Sequence, residues 1–126
     1  MRAVIIDYGA GNVKSLQFAL ERLGVKAPLS SDAQSIASAD RVFFPGQGEA
    51  SNAMQKLQAH NLIEVIKNLQ QPVLGICLGM QLLPEHTEEG NTQGLGRSKG
   101  VVKRFPNTRK VPQMGWNTIE IDTYPL

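Results

Sequence analysis

The sequence predicts an α/β fold: a doubly wound, mostly parallel sheet flanked by helices, built by a single domain over residues 1–126. Three observations predict it. Short, continuously apolar runs rich in β-branched residues mark strands buried on both faces. Segments with apolar residues at helical spacing alternate with these runs, which argues parallel strands joined by right-handed crossovers. Pro45-Gly46-Gln47-Gly48 and Cys77 fall beyond the carboxyl ends of two of the runs, the edge where sheets of this kind bind ligands.

Ala3-Val4-Ile5-Ile6 supplies the first strand, and Asp7-Tyr8-Gly9-Ala10-Gly11 the turn after it. Asn12 is an N-cap for a helix carrying Val13, Leu16, Leu20 and Leu23, stopped by Gly24. A dinucleotide fingerprint would need a third glycine where Lys14 stands, so that motif fails. Val25 to Leu29 reads as a second strand, placed at an edge by Pro28. Asp32 caps a short helix through Ile36, and Val42-Phe43-Phe44 forms the third strand. Ser51 is the expected cap of a helix through Leu57. Asn61 is the expected cap of the next, striped by Leu62, Val65, Ile66 and Leu69, with His60 a solvated residue between them. Pro72 to Ile76 is the fourth strand, and Met80-Gln81-Leu82-Leu83 begins a helix that Pro84 ends. Glu85 to Gly94 is polar and turn-like, while Val101-Val102 and Thr118-Ile119-Glu120-Ile121 read as short strands. Met114 and Trp116 flank Gly115 in a segment too short for a helix. They read either as core packing or as an exposed anchor for a partner.

A chain of 126 residues can bury roughly two thirds of its unfolded surface. Its 41% hydrophobic and 19% charged content is that of an ordinary globular protein. A net charge of +2 is too small to imply nucleic acid. Six of the 13 basic residues nevertheless crowd together, at Arg97, Lys99, Lys103, Arg104, Arg109 and Lys110. Such a cluster is a solvated face or an anion-binding surface. A lone cysteine excludes an intrachain disulfide and suits a reducing, cytoplasmic location. The apolar run at Ala3 is cut off by Asp7, which argues against a signal peptide, and no stretch approaches the ~18 apolar residues of a membrane span. No cofactor and no metal are expected.

The chemistry concentrates in Gly75-Ile76-Cys77-Leu78-Gly79, an apolar strand running through a glycine-flanked nucleophile into a helix. This is the layout of a nucleophile elbow, described for serine as G-x-S-x-G. The apex residue must adopt a strained backbone, which needs neighbours without side chains. A helix N-terminus favours the thiolate, the attacking species. The alternative is that Cys77 is a small buried hydrophobe at a strand end. Pro45-Gly46-Gln47-Gly48, at the end of the third strand, is either a plain turn or, taken with Cys77, an oxyanion site.

Asp7 to Asn12, Pro45 to Gly48, Gly75 to Gln81 and Met114-Gly115-Trp116-Asn117 together resemble the class I (triad) glutamine amidotransferases. Within that family the first and last motifs look like those of the glutaminase subunits of imidazole glycerol phosphate synthase. The resemblance implies that Cys77 attacks the side-chain amide of glutamine and forms a glutamyl thioester. It implies an oxyanion site from Leu78 N–H and backbone N–H groups of Gly46, Gln47 and Gly48, with Gln81 holding the amino-acid end of the substrate. It implies a heterodimer in which ammonia passes to a cyclase (β/α)8-barrel subunit. That subunit makes imidazole glycerol phosphate and an aminoimidazole carboxamide ribotide in histidine biosynthesis. Met114, Trp116 and Asn117 would meet that barrel.

The family also carries a catalytic His and Glu in a His-Pro-Glu motif on a later strand, and this sequence has none. His86-Thr87-Glu88 is the only His-x-Glu spacing, expected at the outward end of the helix after Cys77, in poor geometry. Pro84 and Arg97-Ser98 also depart from family-like surroundings, the latter putting polar groups where apolar ones are expected. The expectation is a truncated glutaminase, inactive alone, missing its C-terminal strands and leaving an apolar sheet face and an edge uncovered. A catalytically dead remnant that only binds the barrel, or a different cysteine hydrolase, are the alternatives.

Overall fold

A computed structural model describes residues 1–123. Four strands form one parallel sheet: β1 (Ala3–Ile6), β2 (Leu29–Ser30), β3 (Arg41–Phe44) and β4 (Val73–Gly75), in the order β2-β1-β3-β4. Ile5 lies opposite Leu29, Val4 opposite Val42, and Phe43 opposite Leu74. The helices are α1 (Val13–Arg22), α2 (Ala33–Ala37), α3 (Ala50–Ala59), α4 (Ile63–Asn68) and α5 (Leu78–Leu82).

Strand side chains alternate between two cores. Ala3 and Ile5 pack with Leu20 and Ala27, with Leu16 and Phe43 beside them, on the α1 face. Val4, Ile6, Tyr8, Val42 and Phe44 pack with Ile36, Leu57, Leu62, Ile66, Leu78 and Leu82 on the other. Burial on both faces is why the strands read as unbroken apolar runs rather than alternating ones. The doubly wound architecture is therefore as expected. On β4, the outermost described strand beside β3, Leu74 stays 54% exposed.

The helix boundaries follow from their caps. Asn12 accepts from Ser15 N–H and Asp32 from Ser35 N–H, as the sequence predicts. Gly24 stops α1 at a φ of 73°, with Gly24 N–H on Glu21 and Val25 N–H on Leu20, a Schellman ending. Two expected caps are corrected. Glu49, not Ser51, caps α3: its carboxylate accepts from the N–H groups of Ser51 and Asn52, and the Ser51 hydroxyl donates to it. The Ser51 hydroxyl and N–H together hold the Glu49 carboxyl below its usual range. Asn61 ends α3 instead of starting α4. It takes a left-handed φ of 56°, with Asn61 N–H on Gln58 and Leu62 N–H on Leu57, and α4 begins without a side-chain cap. Asparagine suits both a cap and a left-handed stop, and packing of Leu62 into the core selects the stop.

Other expectations are also corrected. The second strand begins only at Leu29, because β1 pairs with Leu29 and Ser30 alone, though its edge position stands. The polar stretch from Glu85 to Gly94 is not merely a turn. It contains β5 (His86–Thr87) and β6 (Thr92–Gln93), joined through a 3-10 turn over Glu89–Asn91. With β7 (Val101–Val102) they form a second sheet, β5 antiparallel to β6 and parallel to β7. His86 and Thr87 are thus on a strand, with Glu88 in the turn after it, and none of the three is on the end of α5, because α5 stops at Leu82 ahead of Pro84. Thr118 to Ile121 forms no strand. Alternation makes a strand only where an edge receives it, and Ile119 and Ile121 stand exposed.

Met114 and Trp116 are exposed as well, so the core-packing reading of that pair is rejected. Arg97 leaves the solvated basic cluster: half-buried, its guanidinium donates to the carbonyls of Ile66 and Leu69 at the end of α4. A polar residue stands there because four helix carbonyls need partners. No helix among the described residues is long and apolar enough to cross a membrane.

Tyr8 lies in the core. Its hydroxyl donates to the Pro45 carbonyl at 2.9 Å and its ring packs on Phe44 at 5.6 Å. Burial pushes its pKa from the ordinary 10.0 up to about 12. A folded pKa above the unfolded one keeps stability in place below pH 10 and removes it as pH rises toward 12. Urea denaturation across that window should show this loss in the native chain and a smaller one in Tyr8→Phe. Arg97→Met, which keeps the aliphatic stem but leaves the Leu69 carbonyl at the end of α4 without its partner, should lower unfolding free energy by about 1–3 kcal/mol in the same assay.

Candidate active site

The site is built where β4 meets α5. Ile76 N–H still donates to Phe44 O at 3.0 Å, extending the β3–β4 ladder by one bond. The chain then reverses at Cys77, with φ 54° and ψ −116°, and α5 starts at Leu78. A non-glycine residue in that region is strained and persists only where its surroundings fix it.

Those surroundings are backbone against backbone. A Cβ on Gly79 would lie 1.8 Å from the Phe44 carbonyl oxygen, and one on Gly75 would lie 2.6 Å from the Met80 Cα. Both glycines are therefore required by contact, at negative-φ geometry that other residues could otherwise adopt. The reading of Cys77 as a buried hydrophobe is rejected, since the thiol-bearing residue is exposed.

Cys77 opens on a cleft of about 470 Å³ bordered by Asn12, Leu16, Pro45, Gly46 and Gln47. The Pro45 loop is thus beside the sulfur-bearing residue. A Cβ on Gly46 would sit 2.6 Å from the Tyr8 hydroxyl and 2.9 Å from Gly79 N. Gly48 follows with φ 104°, a conformation that favours glycine. Gly79 and Gln81 N–H groups are bonded to the Ile76 and Cys77 carbonyls, whereas Leu78 N–H has no partner among the described residues. The arrangement offers an exposed thiol and, close by, a glycine loop and the start of a helix with an unbonded N–H. Chemically, that combination suits addition of sulfur to a carbonyl carbon and stabilisation of the resulting oxyanion.

Gln81 sits one turn into α5. Its amide donates to Thr87 Oγ1 and Glu89 Oε2, both at 3.0 Å, and Glu89 Oε2 also accepts from Ala50 N at 3.1 Å. One carboxylate therefore ties α5, α3 and the second sheet together. Sequence reading misses Thr87 and Glu89 because they lie in a polar stretch without periodicity. It also misses Tyr8, whose only signal is a large aromatic in a turn directly after a buried strand.

Other candidates do not join Cys77. His86 pairs with Gln93 and Val101 across the second sheet, and the Glu88 carboxylate accepts from Arg104 N at 2.8 Å. Neither lines the cleft, nor does His60, whose ring contacts the Lys56 carbonyl on the surface. Met114, Trp116 and Asn117 lie exposed in a segment without regular structure and line no part of the cleft.

Comparison with known proteins bears on this geometry. The family model for glutamine amidotransferase class-I matches residues 4–123. The imidazole glycerol phosphate synthase subunit HisH of Bacteroides thetaiotaomicron is 51% identical over 122 residues, covering 94% of this chain and 62% of that protein. HisH of Haemophilus influenzae is 50% identical over 117 residues, covering 92% of this chain and 59% of its own length. The chain thus spans about three fifths of these relatives. A solved structure, described as the crystal structure of glutamine amidotransferase, has a TM-score of 0.70 at 20% identity. It covers 86% of this chain and 59% of that one, and the likeness is one of fold.

Gly79→Ala tests the contact that shapes the elbow. Its Cβ meets a backbone oxygen that cannot step aside, so unfolding free energy should fall by about 3 kcal/mol or more in urea denaturation. Gly24→Ala, with open space around its Cβ and only an unfavourable φ, should fall by less.

Proposed function

Since this chain belongs to the class-I glutamine amidotransferase family, we propose that it is the glutaminase subunit of an imidazole glycerol phosphate synthase. One observation carries the reading: Cys77, held at positive φ, stands exposed on a cleft bordered by the Pro45–Gln47 backbone. The HisH relatives supply the particular member of the family.

In this reading the Cys77 sulfur adds to the side-chain amide carbon of glutamine. The carbonyl oxygen takes the charge and is held by N–H groups of Leu78 and of Gly46 to Gly48. The C–N bond then breaks, nitrogen leaves as ammonia after gaining the proton that the thiol gave up, and water hydrolyses the glutamyl thioester to glutamate and free thiol. Gln81 holds the amino-acid end of the substrate. Ammonia passes to a cyclase (β/α)8-barrel subunit, docked through Met114, Trp116 and Asn117, which makes imidazole glycerol phosphate and the aminoimidazole carboxamide ribotide. A reduced thiol at the reaction centre suits the cytoplasm.

No histidine among the described residues lines the cleft, so no imidazole there delivers the proton to departing ammonia. This favours one second reading, a chain that docks on the barrel without turning over glutamine. The experiment is covalent trapping with a glutamine-analogue diazoketone, read by intact mass with and without the barrel. Stoichiometric labelling at Cys77, blocked by glutamine and abolished in Cys77→Ser, is the expected result. Tight barrel binding without labelling supports the docking reading. Equal labelling by unrelated acyl electrophiles, with no protection by glutamine, overturns the glutaminase reading.

A further inference from the structure

We infer that Tyr8 is a positioning residue whose hydroxyl sets the plane of the Pro45–Gly46 peptide and so aims the Gly46 N–H at the Cys77 cleft. This deepens the glutaminase reading of the site and rests on it.

The geometry begins in the core. Tyr8 is fully buried, and its hydroxyl donates to the Pro45 carbonyl at 2.9 Å. A phenylalanine would fill the same space against Phe44, so packing does not account for the oxygen. A buried hydroxyl is unfavourable unless bonded, and here its partner is one particular carbonyl. That carbonyl belongs to the same planar unit as the Gly46 N–H. The peptide is trans, since the one cis bond among the described residues is Val111–Pro112. In a trans peptide, C=O and N–H point to opposite sides. Drawing the Pro45 oxygen into the core therefore turns the Gly46 hydrogen outward, on the side where Pro45, Gly46 and Gln47 border the cleft with Cys77.

Two further observations agree. Gly46 N–H donates to no group among the described residues, so it is left for an incoming oxygen. A side chain at position 46 would strike the Tyr8 hydroxyl at 2.6 Å, so the hydroxyl and the glycine are fitted to each other. Burial keeps the phenol protonated well above neutrality, and it remains a donor under working conditions.

The test uses two electrophiles on the chain as it exists. A glutamine-analogue chloroketone reacts through addition to a carbonyl and needs the oxyanion site; iodoacetamide alkylates the same sulfur by direct displacement. In Tyr8→Phe the chloroketone rate constant should fall about tenfold or more, while the iodoacetamide rate and its pH profile stay within about twofold. With 3-fluorotyrosine at position 8, which keeps the hydroxyl, the ratio of the two rates should return to that of the native chain. A ratio unchanged in Tyr8→Phe, or not restored by 3-fluorotyrosine, overturns the role of Tyr8 and leaves the glutaminase reading intact. A native chain that takes the chloroketone no faster than one lacking the amino-acid end, without protection by glutamine, overturns the glutaminase reading and this inference with it. Should Tyr8→Phe not fold, the fluorotyrosine chain decides alone: its ratio must stay within twofold of native at neutral pH and fall as pH rises through the lowered phenol pKa.

Discussion

The structure turns on one close approach, that of Gly79 to the carbonyl oxygen of Phe44. The first turn of α5 lies directly on the end of β3, at a distance no side chain at position 79 would permit. From this contact follow the sharp reversal at Cys77, the positive φ of that residue and its exposure. Strain at the apex is held in place because the strand before it is still hydrogen-bonded to Phe44 through Ile76 N–H. The same few atoms thus terminate β3, start α5 and present the thiol.

The glycine loop is fastened to that contact from below. Gly46 packs on the Tyr8 hydroxyl, on Gly79 N and on the Leu78 side chain, and Gly11 leaves room for it from the other side, where a Cβ would approach Gly46 N at 3.3 Å. Three glycines from three parts of the chain meet here. Gly46 and Gly79 are small for a steric reason, and Gly11 also holds a φ of 109° that favours glycine. Through these contacts Gly46 is packed in place where it borders the Cys77 cleft.

The second sheet does a different task. Its strands are two residues long and do not stand on burial alone. Glu89 bridges Gln81 and Ala50, Thr87 Oγ1 accepts from Gln81, and Arg97 closes the end of α4 from the segment that follows. Polar side chains therefore attach this sheet to the helices of the parallel one. They look out of place in the sequence because their partners are main-chain groups far away along the chain.

By itself the sequence determined the elements whose cause is local or periodic. Apolar runs marked β1, β3 and β4, and short polar residues marked the starts of α1 and α2. The glycines around Cys77 marked the elbow, and with Pro45 to Gly48 they named most of the cleft. Tertiary structure decided what depends on partners. Asn61 became a stop because Leu62 had to enter the core, and Thr118 to Ile121 stayed unpaired because no described edge receives it. Tyr8 and Glu89 gained their roles only when Pro45, Gln81 and Ala50 came within hydrogen-bond reach. Periodicity records which face of an element is buried; it carries no record of which distant carbonyl or amide will lie across from a given side chain.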